Sequence, residues 1–437
     1  MAKETPIPVH RMSRLLQLTR LTGRIAGKVL GEGARTLASG RQPHLADLLL
    51  SPANARHLTE RLSEMRGAVM KVGQLLSMEA GYFLPAELTR ILATLRENAR
   101  PMPVAQVAQV LEGALGKYWE AQLACFSYIP VAAASIGQVH SAGALDGLQL
   151  AMKVQYPGVR ESIDSDVDNV ATLFKLLRLV PDDFDISALL EQAKQQLLRE
   201  TDYLAEANSI AEFRALIGAD TGFDLPTVVT SLSTREVLTM SFVPGAPIES
   251  LSKAPDEVRN RVATRLLDLV LKEVFEWGLV QTDANFANYR YQAERDCIGL
   301  LDFGATRRYS NDLVVRFRRL MLAASEERNS AIETHAVELG YLRADEAAPY
   351  RQALCKMISA VAEPLRHRGP FDFAASDLSQ RIAEQTVSLR LHQRYLHLPP
   401  TDLLFLHRKF AGTYLLCARL KSRVDVRALA APYIQQA

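Results

Sequence analysis

The feature that most constrains the fold is a change of residue pattern near Cys125. From Pro43 to about Lys117 the chain is dense in Ala, Leu, Met and Glu, which favours helices. After Cys125, short apolar runs are separated by small residues and Gly, a pattern typical of an antiparallel sheet. These runs are Phe126-Ser-Tyr-Ile-Pro, Gly137-Gln-Val-His and Leu148-Gln-Leu-Ala-Met-Lys-Val. The sequence therefore predicts a helical layer followed by a small sheet.

The rest of the chain is predicted to be mainly helical. Helical patterning returns between Pro157 and Leu216, and two more strands, Pro226-Thr-Val-Val and Glu236-Val-Leu-Thr-Met-Ser-Phe-Val, are expected to close the sheet. Beyond them one interruption, from Val280 to Gly304, contains two polar loops and the apolar strand Ile298-Gly-Leu-Leu. We therefore expect an α+β chain in which a small mixed lobe precedes a helical lobe.

Composition and charge exclude several classes of protein. The 437 residues are 48% hydrophobic and 23% charged, as in globular proteins with a large core. Lys and Arg total 51 against 49 Asp and Glu, so the chain lacks the strong positive charge of most nucleic-acid-binding proteins. Its 4 Cys residues lack paired spacing, which argues against a zinc ribbon, a redox motif or a disulfide framework. We expect no nucleic-acid partner and a reducing cytoplasm.

The N-terminal segment is basic and amphipathic. Between Arg11 and Gly31 the chain has Arg and Lys but no acidic residue, while Leu and other apolar residues recur at helical spacing. We find no secretory signal and no uncharged stretch long enough to cross a bilayer. Two interpretations stay open: a helix packed on its own protein, or a helix on an anionic membrane surface. We expect a cytoplasmic protein, with peripheral contact at the inner face of the membrane left open.

Two polar loops carry the strongest chemical signal. Asp302 directly follows an apolar strand and precedes Phe303-Gly304, so its carboxylate is placed to bind a phosphate-bound metal. Earlier in the chain, Asp283 and Asn288 have the spacing of a kinase catalytic loop. Because Mg²⁺ prefers hard oxygen ligands, we expect Asn288 and Asp302 to bind the metal. We expect Asp283 to position the phosphoryl acceptor or to bind another metal.

A lysine and a glutamate are expected to complete the catalytic set. Lys153, in the predicted strand Ala151-Met-Lys-Val, matches the kinase lysine that reaches the α- and β-phosphates. A strand Lys is ordinarily solvated, but the apolar neighbours of this one indicate a buried position. Its carboxylate partner should come from a helix that contains Arg199–Asn208. Glu206 is the first choice, and Asp202 shares its helical face because the two are four residues apart.

An Ala-rich segment occupies the place where protein kinases have a Gly-rich loop. It runs from Val131 to His140, between the first two predicted strands. The Cβ of alanine narrows the backbone range, so this loop cannot wrap phosphates as glycine does, and nucleotide preference or geometry must differ. We expect nucleotide contacts from this segment and from the neighbouring strands, namely from Ala132, Ala133, Ala134, Ser135, Val139, Ala151, Lys153, Met240 and Phe242.

Taken together, these motifs resemble the UbiB family of atypical kinase-like proteins, most closely its branch linked to coenzyme Q biosynthesis. The resemblance covers about residues 45 to 430 and depends on motifs that occur in the same order. They are Lys71-Val-Gly-Gln74, the Ala-rich segment, Glu200-Thr-Asp202 with Glu206, Gln281-Thr-Asp283 with Asp302-Phe-Gly, and Leu406-His-Arg-Lys-Phe-Ala-Gly. One residue departs from the family pattern: Ala284 stands where proline is usual, which frees φ but keeps the ligands.

The resemblance implies a bilobal protein-kinase-like fold with an N-terminal helical extension that covers the active site. In this family the Lys and Gln of the K-x-G-Q helix occupy the space of a peptide substrate, so Lys71 and Gln74 are expected to be regulatory. Lys71 is expected to meet Glu200 and Asp202. The expected domains are 1–42, a basic amphipathic segment; 43–120, the helical extension; 121–245, an N-lobe with a helical insertion; and 246–437, a helical C-lobe.

The implied function is binding of Mg-ATP with ATP hydrolysis or phosphoryl transfer in quinone-lipid metabolism. Quinone-pathway proteins or lipid precursors are the expected partners, and the sequence leaves the oligomeric state open. Two alternatives also stay open: a small-molecule or lipid kinase, and a pseudokinase-like scaffold that binds nucleotide and organises partner proteins without turnover. The retained Asp283, Asn288 and Asp302 argue against an inactive site.

Overall fold

The chain divides into two compact units. The first is formed by Met1–Ala207 with Thr227–Phe242, and the second by Asn208–Pro226 with Val243–Ala437. The structure, a computed structural model, describes Ala68 and residues 101–176, 187–393 and 399–435. Lys71, Gln74 and the basic segment from Arg11 to Gly31 lie outside the described residues. The domain boundaries at residues 42, 120 and 245 and the regulatory roles of Lys71 and Gln74 therefore stay predictions.

The first unit is built on an antiparallel sheet with the strand order β1-β2-β3-β5. Its strands are β1 (Leu123–Ala133), β2 (Gly137–Ala144), β3 (Gln149–Gln155) and β5 (Val237–Ser241). Successive side chains of a strand point to opposite faces of the sheet. Alternate residues of β3, from Leu150 to Val154, are buried in one core cluster with helix α1 (Val104–Leu115). Lys153 therefore lies on the opposite face, together with Ala151.

Three helices follow β3 in the chain, namely α2 (Val159–Leu176), α3 (Ser187–Glu200) and α4 (Tyr203–Ile217). The expectation of one continuous helix through residues 199–208 is wrong, because the chain breaks between α3 and α4. Asp202 Oδ1 accepts hydrogen bonds from two backbone N–H groups of the first turn of α4, which is the capping behaviour that starts a new helix. Glu200 and Glu206 consequently belong to different helices.

The Ala-rich segment is mostly strand. We expected the segment from Val131 to replace the Gly-rich loop, but β1 runs to Ala133. The strand run Gly137-Gln-Val-His is present as the start of β2, so the turn is confined to residues 134–136. The strand pairing can continue into this segment because alanine loses less conformational freedom in a strand than glycine would. Gly137 is required at the start of β2, since a Cβ there would lie 2.2 Å from the carbonyl oxygen of Val154 on β3.

The second predicted pair of strands is only half present. Residues 236–243 contain β5, as expected, but residues 226–229 form no strand in the described part of the chain. They contribute an isolated bridge between Val228 and Met240. Pro226 lacks the N–H group that a central strand would donate to its neighbour, which opposes a longer ladder.

The second unit is mainly helical, as predicted. Its helices are α5 (Asp256–Phe275), α6 (Asn311–Ser325), α7 (Asn329–Glu338), α8 (Ala348–Val361), α9 (Glu363–Arg366), α10 (Leu378–Gln393), α11 (Thr401–Arg419) and α12 (Val426–Ile434). One core cluster joins Val270 and Val274 of α5 to Leu403 and Leu406 of α11. Within the described ranges, no helix of either unit is long and apolar enough to cross a bilayer.

Short strands hold the polar loops of the second unit. They are β4 (Phe223–Asp224), β6 (Ala246–Pro247), β7 (Leu279–Gln281), β8 (Tyr289–Gln292), β9 (Cys297–Leu300), β10 (Thr306–Arg308), β11 (Phe371–Asp372) and β12 (Arg423–Val424). The apolar strand predicted around Ile298 is β9, which pairs with β8 and β4. The other strands are too short for residue periodicity to reveal them.

Candidate active site

Lys153 and Glu206 form a buried ion pair in the first unit. Lys153 Nζ lies 2.5 Å from Glu206 Oε1, and the two residues are 6% and 5% exposed. Removal of a lysine from water is unfavourable unless a carboxylate compensates its charge. The pairing expected from the sequence is therefore present, with Lys153 on β3 and Glu206 on the first turns of α4. The part that this pair plays in catalysis stays a prediction.

The residues expected to contact the nucleotide lie largely on one face of the sheet. Val139 is the cross-strand partner of Lys153, and Met240 is the partner of Ala151. Because cross-strand partners share a face, the four side chains of these two pairs lie on the same side of the sheet. Phe242 follows β5 two residues after Met240 and is 44% exposed. Ala151 is the smallest of these side chains and is buried beside Lys153 on this face.

The Ala-rich turn carries one polar contact. Ser135 Oγ donates a hydrogen bond to Glu200 Oε2 at 2.7 Å, so the tip of the turn is joined to the last residue of α3. The preceding Ala134 donates its N–H to the carbonyl of Gly137 at 2.9 Å, which closes the turn. Ala132 and Ala133 stand in β1, just before the turn, and both are exposed.

Glu200 and Asp202, predicted as one regulatory pair, have different local contacts. Glu200 accepts the hydrogen bond of Ser135, whereas Asp202 caps α4 and lies 3.5 Å from the guanidinium of Arg235. Gln155 of β3 donates to the backbone carbonyls of Thr201 and Arg235, both at 2.9 Å. The break between α3 and α4 is therefore joined to the sheet that carries Lys153. The regulatory role of both acids stays a prediction.

Asp283, Asn288 and Asp302 lie on two adjoining loops of the second unit. Pairing of β7 with β10 brings the loops together, and Thr282 donates from both its N–H and Oγ1 to the carbonyl of Ala305. The backbone N–H of Leu301 donates to the carbonyl of Asn288 at 3.0 Å. As a result, Asn288 and Asp302 line the same small cavity.

These two side chains offer the oxygen atoms that a magnesium ion requires. The amide nitrogen of Asn288 donates to the backbone carbonyl of Asp283 at 3.0 Å, which leaves Oδ1 as the available end of the amide. Asp302 Oδ1 accepts from the N–H of Gly304 at 2.9 Å, and this contact orients the carboxylate within the turn. One carboxylate and one amide oxygen at a shared cavity fit the ligand preference of Mg²⁺.

Helix α11 contributes residues that sequence reasoning did not assign to the site. Arg408 Nη2 donates a hydrogen bond to Asp283 Oδ1, and the neighbouring Lys409 lies 2.8 Å from Glu273 of α5. Tyr289, at the start of β8, also acts to raise the pKa of Lys409. Two signals could have found these residues. The Leu406-His-Arg-Lys-Phe-Ala-Gly segment was part of the family resemblance, and Glu273 interrupts an otherwise apolar helix face.

The buried cluster under the loops has perturbed protonation equilibria. Burial raises the pKa of Glu273 to about 6, although the ammonium group of Lys409 and the backbone N–H of Gln281 act in the opposite direction. Burial acts to lower the pKa of Lys409, but Glu273 and Tyr289 outweigh it, so that pKa lies above its ordinary value. Glu273 and Lys409 line the same cavity as Asn288 and Asp302. The cluster thus forms part of the wall of the cavity that contains the candidate metal ligands.

Comparison with known proteins gives consistent matches. The model of the ABC1 atypical kinase-like domain matches residues 94–336. The chain is 36% identical to "Atypical kinase COQ8, mitochondrial" of Saccharomyces cerevisiae, over 98% of this chain and 85% of that protein. It is 35% identical to "Atypical kinase COQ8B, mitochondrial" of Danio rerio, over 98% of this chain and 69% of that protein.

One solved structure is similar over most of the chain. It is the complex of Rv3197 with erythromycin from Mycobacterium tuberculosis, which is 25% identical. The alignment covers 87% of this chain and 96% of that one, with a TM-score of 0.62. A score of this size indicates a shared fold.

Proposed function

Since the chain belongs to the ABC1 atypical kinase-like family, we propose that it binds Mg-ATP and hydrolyses it or transfers its terminal phosphoryl group. We further propose that this activity supports ubiquinone (coenzyme Q) biosynthesis. The observation that carries the proposal is the buried pair of Lys153 with Glu206, held on a sheet face beside the small Ala151. A desolvated ammonium group held by a carboxylate is well suited to receive the phosphate oxygens of a nucleotide.

Each residue of the site has a defined role in this proposal. Lys153 binds the α- and β-phosphates, and Glu206 holds its ammonium group in place. Asn288 and Asp302 hold Mg²⁺, which when bound neutralises charge on the phosphate oxygens. Asp283 orients the attacking oxygen, whether it belongs to water or to another acceptor.

The expected metabolic setting follows from the relatives and from the N-terminal segment. The resemblance to the coenzyme Q branch of the family and the names of the COQ8 relatives support a role in quinone-lipid metabolism. We accordingly propose quinone-pathway proteins or lipid precursors as partners. We propose a cytoplasmic protein that contacts the inner face of the membrane through the basic segment from Arg11 to Gly31, which anionic lipid would attract.

Phosphate release from ATP tests the proposal. The assay compares the wild type with Asp302→Asn in Mg²⁺, with and without anionic liposomes that contain a quinone-precursor mimic. We expect turnover by the wild type, and a loss of at least about a hundredfold in Asp302→Asn because the variant lacks a metal-binding charge. Asp345→Asn is the matched control, since Asp345 has a side chain that is 75% exposed.

Binding measurements separate the alternatives. Mg-ADP affinity should fall in Asp302→Asn while the melting temperature of the nucleotide-free protein stays within a few degrees of the wild type. Nucleotide binding by the wild type without phosphate release or phosphoryl transfer would favour the scaffold over the enzyme. Equal Mg-ADP affinity in the wild type and in Asp302→Asn would contradict the assignment of the metal site.

A further inference from the structure

Arg408 makes direct contact with the carboxylate of Asp283. Its Nη2 donates a hydrogen bond to Asp283 Oδ1, and the two side chains differ in exposure, 7% for Arg408 and 22% for Asp283. The arginine is thus the enclosed member of the pair and the aspartate is the member nearer to solvent. Arg408 approaches Asp283 from the side of the protein interior, because it is carried by the buried face of α11.

Helix α11 holds Arg408 in a fixed place relative to the loop. The next residue, Lys409, is anchored to Glu273 in the interior at 2.8 Å. One turn further along, Gly412 lies against Ala284, the residue that follows Asp283. A Cβ on Gly412 would lie 2.5 Å from the Cβ of Ala284, so helix and loop are in close van der Waals contact here. Such a contact fixes how closely the helix can approach the loop, and the absence of a side chain at Gly412 permits this approach.

The remaining contacts of Asp283 divide between backbone and side chain. Asn288 binds the backbone carbonyl of Asp283, whereas Arg408 binds its side chain. Among the residues that the structure describes, none donates to Asp283 Oδ2. Arg408 Nη1 is likewise buried and has no acceptor among them. The carboxylate is therefore held through one oxygen, and the other oxygen is available to a ligand.

A contribution to stability alone explains this pair poorly. Removal of two charges from water costs about as much free energy as their attraction returns, so a buried ion pair is weak support for a purely stabilising role. A pair that orients a side chain next to a reacting group has a clearer use, since misplacement of a catalytic group by about 1 Å can cost a hundredfold in rate.

We propose that Arg408 is a positioning residue for the phosphoryl-transfer step, and this inference rests on the proposed function. Arg408 holds Asp283 through Oδ1 and leaves Oδ2 to take the proton of the attacking water or hydroxyl. In that step the bond from the attacking oxygen to phosphorus forms, and the bond from phosphorus to the ADP oxygen breaks. ADP leaves with the electron pair of the broken bond.

Two substitutions of Arg408 and one control test the proposal. Arg408→Met removes the charge and keeps most of the side-chain volume, while Arg408→Lys keeps the charge without the planar fork of the guanidinium group. Arg419→Met is the control, because Arg419 is on the same helix with a side chain that is 64% exposed. For each variant we would measure kcat and KM for ATP, the Kd for Mg-ADP and the melting temperature of the nucleotide-free protein.

The expected pattern separates positioning from folding. In Arg408→Met, kcat should fall at least about tenfold while the Kd for Mg-ADP stays within about threefold. The kcat of Arg408→Lys should lie between the values of Arg408→Met and the wild type, and the kcat of Arg419→Met should equal that of the wild type. If Arg408→Met does not fold, a lowered kcat with unchanged Mg-ADP affinity in Arg408→Lys supports the proposal, and an unchanged kcat in that variant overturns it.

A double-mutant cycle with Asp283→Asn gives a readout that needs no turnover. If Arg408 acts through Asp283, the melting temperatures of Arg408→Met, Asp283→Asn and the double variant should be non-additive, with the double variant melting above the additive value. Strict additivity overturns the proposal, as does a wild-type kcat in Arg408→Met. Parallel loss of Mg-ADP binding and kcat in both Arg408 variants also overturns it, in favour of a structural role. A wild type that binds Mg-ADP but never turns over ATP overturns the proposed enzyme activity and, with it, this inference.

Discussion

The first and second units each contain a buried Lys–Glu pair, and the two pairs differ in their surroundings. Lys153 and Glu206 join a strand to a helix on one face of a small sheet, with side chains that are 8% and 4% exposed. Lys409 and Glu273 join two helices and are each 1% exposed. If the first pair binds nucleotide as proposed, Lys153 exchanges part of its contact for a phosphate group, whereas the second pair is the more deeply buried of the two. Burial of an ion pair is therefore a poor marker of function unless a ligand can reach it.

Loss of the pair formed by Lys409 and Glu273 has the largest effect that we predict. Lys409→Met should lower the free energy of unfolding by about 3–5 kcal/mol, because it leaves the carboxylate of Glu273 buried without its cation. Urea denaturation measures the change. Lys356→Met, at an exposed position on α8, should change the free energy of unfolding by less than about 0.5 kcal/mol.

A second substitution distinguishes charge from packing at this site. If the uncompensated charge is the cause, Glu273→Leu combined with Lys409→Met should restore most of the lost stability. A double variant as unstable as Lys409→Met alone would show that the packing of the lysine stem matters more than the charge. In that case the two pairs could no longer be compared on the basis of their charges.

The cost of Lys409→Met should depend on pH. The pKa of Glu273, raised to about 6, lies above its value of 4.5 in an unfolded chain, so the folded protein retains this proton to higher pH. The corresponding contribution to stability is fully present below pH 4.5 and is lost as the pH rises through about 6. At pH 5 Glu273 is largely neutral and needs no cation. We therefore expect the cost to be about 1–2 kcal/mol smaller at pH 5 than at pH 8.

Urea denaturation of the wild type and Lys409→Met at both pH values measures this difference. Lys356→Met again serves as the control, because an exposed lysine should give the same small change at pH 5 and pH 8. A cost for Lys409→Met that is equal at the two pH values would mean that Glu273 does not titrate in this range.

Loss of the pair formed by Lys153 and Glu206 should affect ligand binding first. Lys153→Met should weaken Mg-ADP binding by about tenfold or more, because a hydrogen-bonded charge on the phosphates is removed. Isothermal titration calorimetry measures the affinity, with Lys117→Met at an exposed position of the same unit as the control. An unchanged affinity in Lys153→Met would place this pair in the same structural class as Lys409 with Glu273.

The smallest effect is expected at the Ala-rich turn. Ala134→Gly widens the backbone range of the turn that precedes Ser135, so it should change the ratio of ATP to ADP affinity by a few-fold. Ala219→Gly, in a turn of the second unit, controls for general loosening of the chain. Equal ratios before and after Ala134→Gly would mean that the turn is only a spacer.

The sequence predicts these regions to different degrees, for physical reasons. The α+β, protein-kinase-like fold is confirmed by the family match, and β3 and β9 were visible as apolar runs because burial of a strand leaves a local signal. The burial of Lys153 could be foreseen from its apolar neighbours, and its pairing with Glu206 from the kinase motif, which calls for a carboxylate on a following helix. Its role in nucleotide binding and those of Asp283, Asn288 and Asp302 stay predictions.

The partners of the α11 residues could not be foreseen, although the family resemblance and Glu273 marked the segments involved. Arg408 and Lys409 stand side by side in the sequence and look like a solvated basic pair, yet both are buried against partners far away in the chain. Only tertiary packing brings Glu273 next to Lys409 and Asp283 next to Arg408. No local periodicity in the sequence predicts contacts between such distant residues. The break between α3 and α4 was missed although Asp202 signals it, since Asp is favoured as an N-cap and not inside a helix.

The contact between Gly412 and Ala284 ties two distant positions together in evolution. Gly412 cannot gain a side chain while the loop stays in place, because a Cβ there would lie 2.5 Å from the Cβ of Ala284. In relatives with proline at the position of Ala284, we expect the helix residue to stay without a side chain. Conversely, a substitution at Gly412 should survive selection only where the loop has moved. Covariation of these two positions across many sequences would show that selection maintains the contact between the helix and the loop.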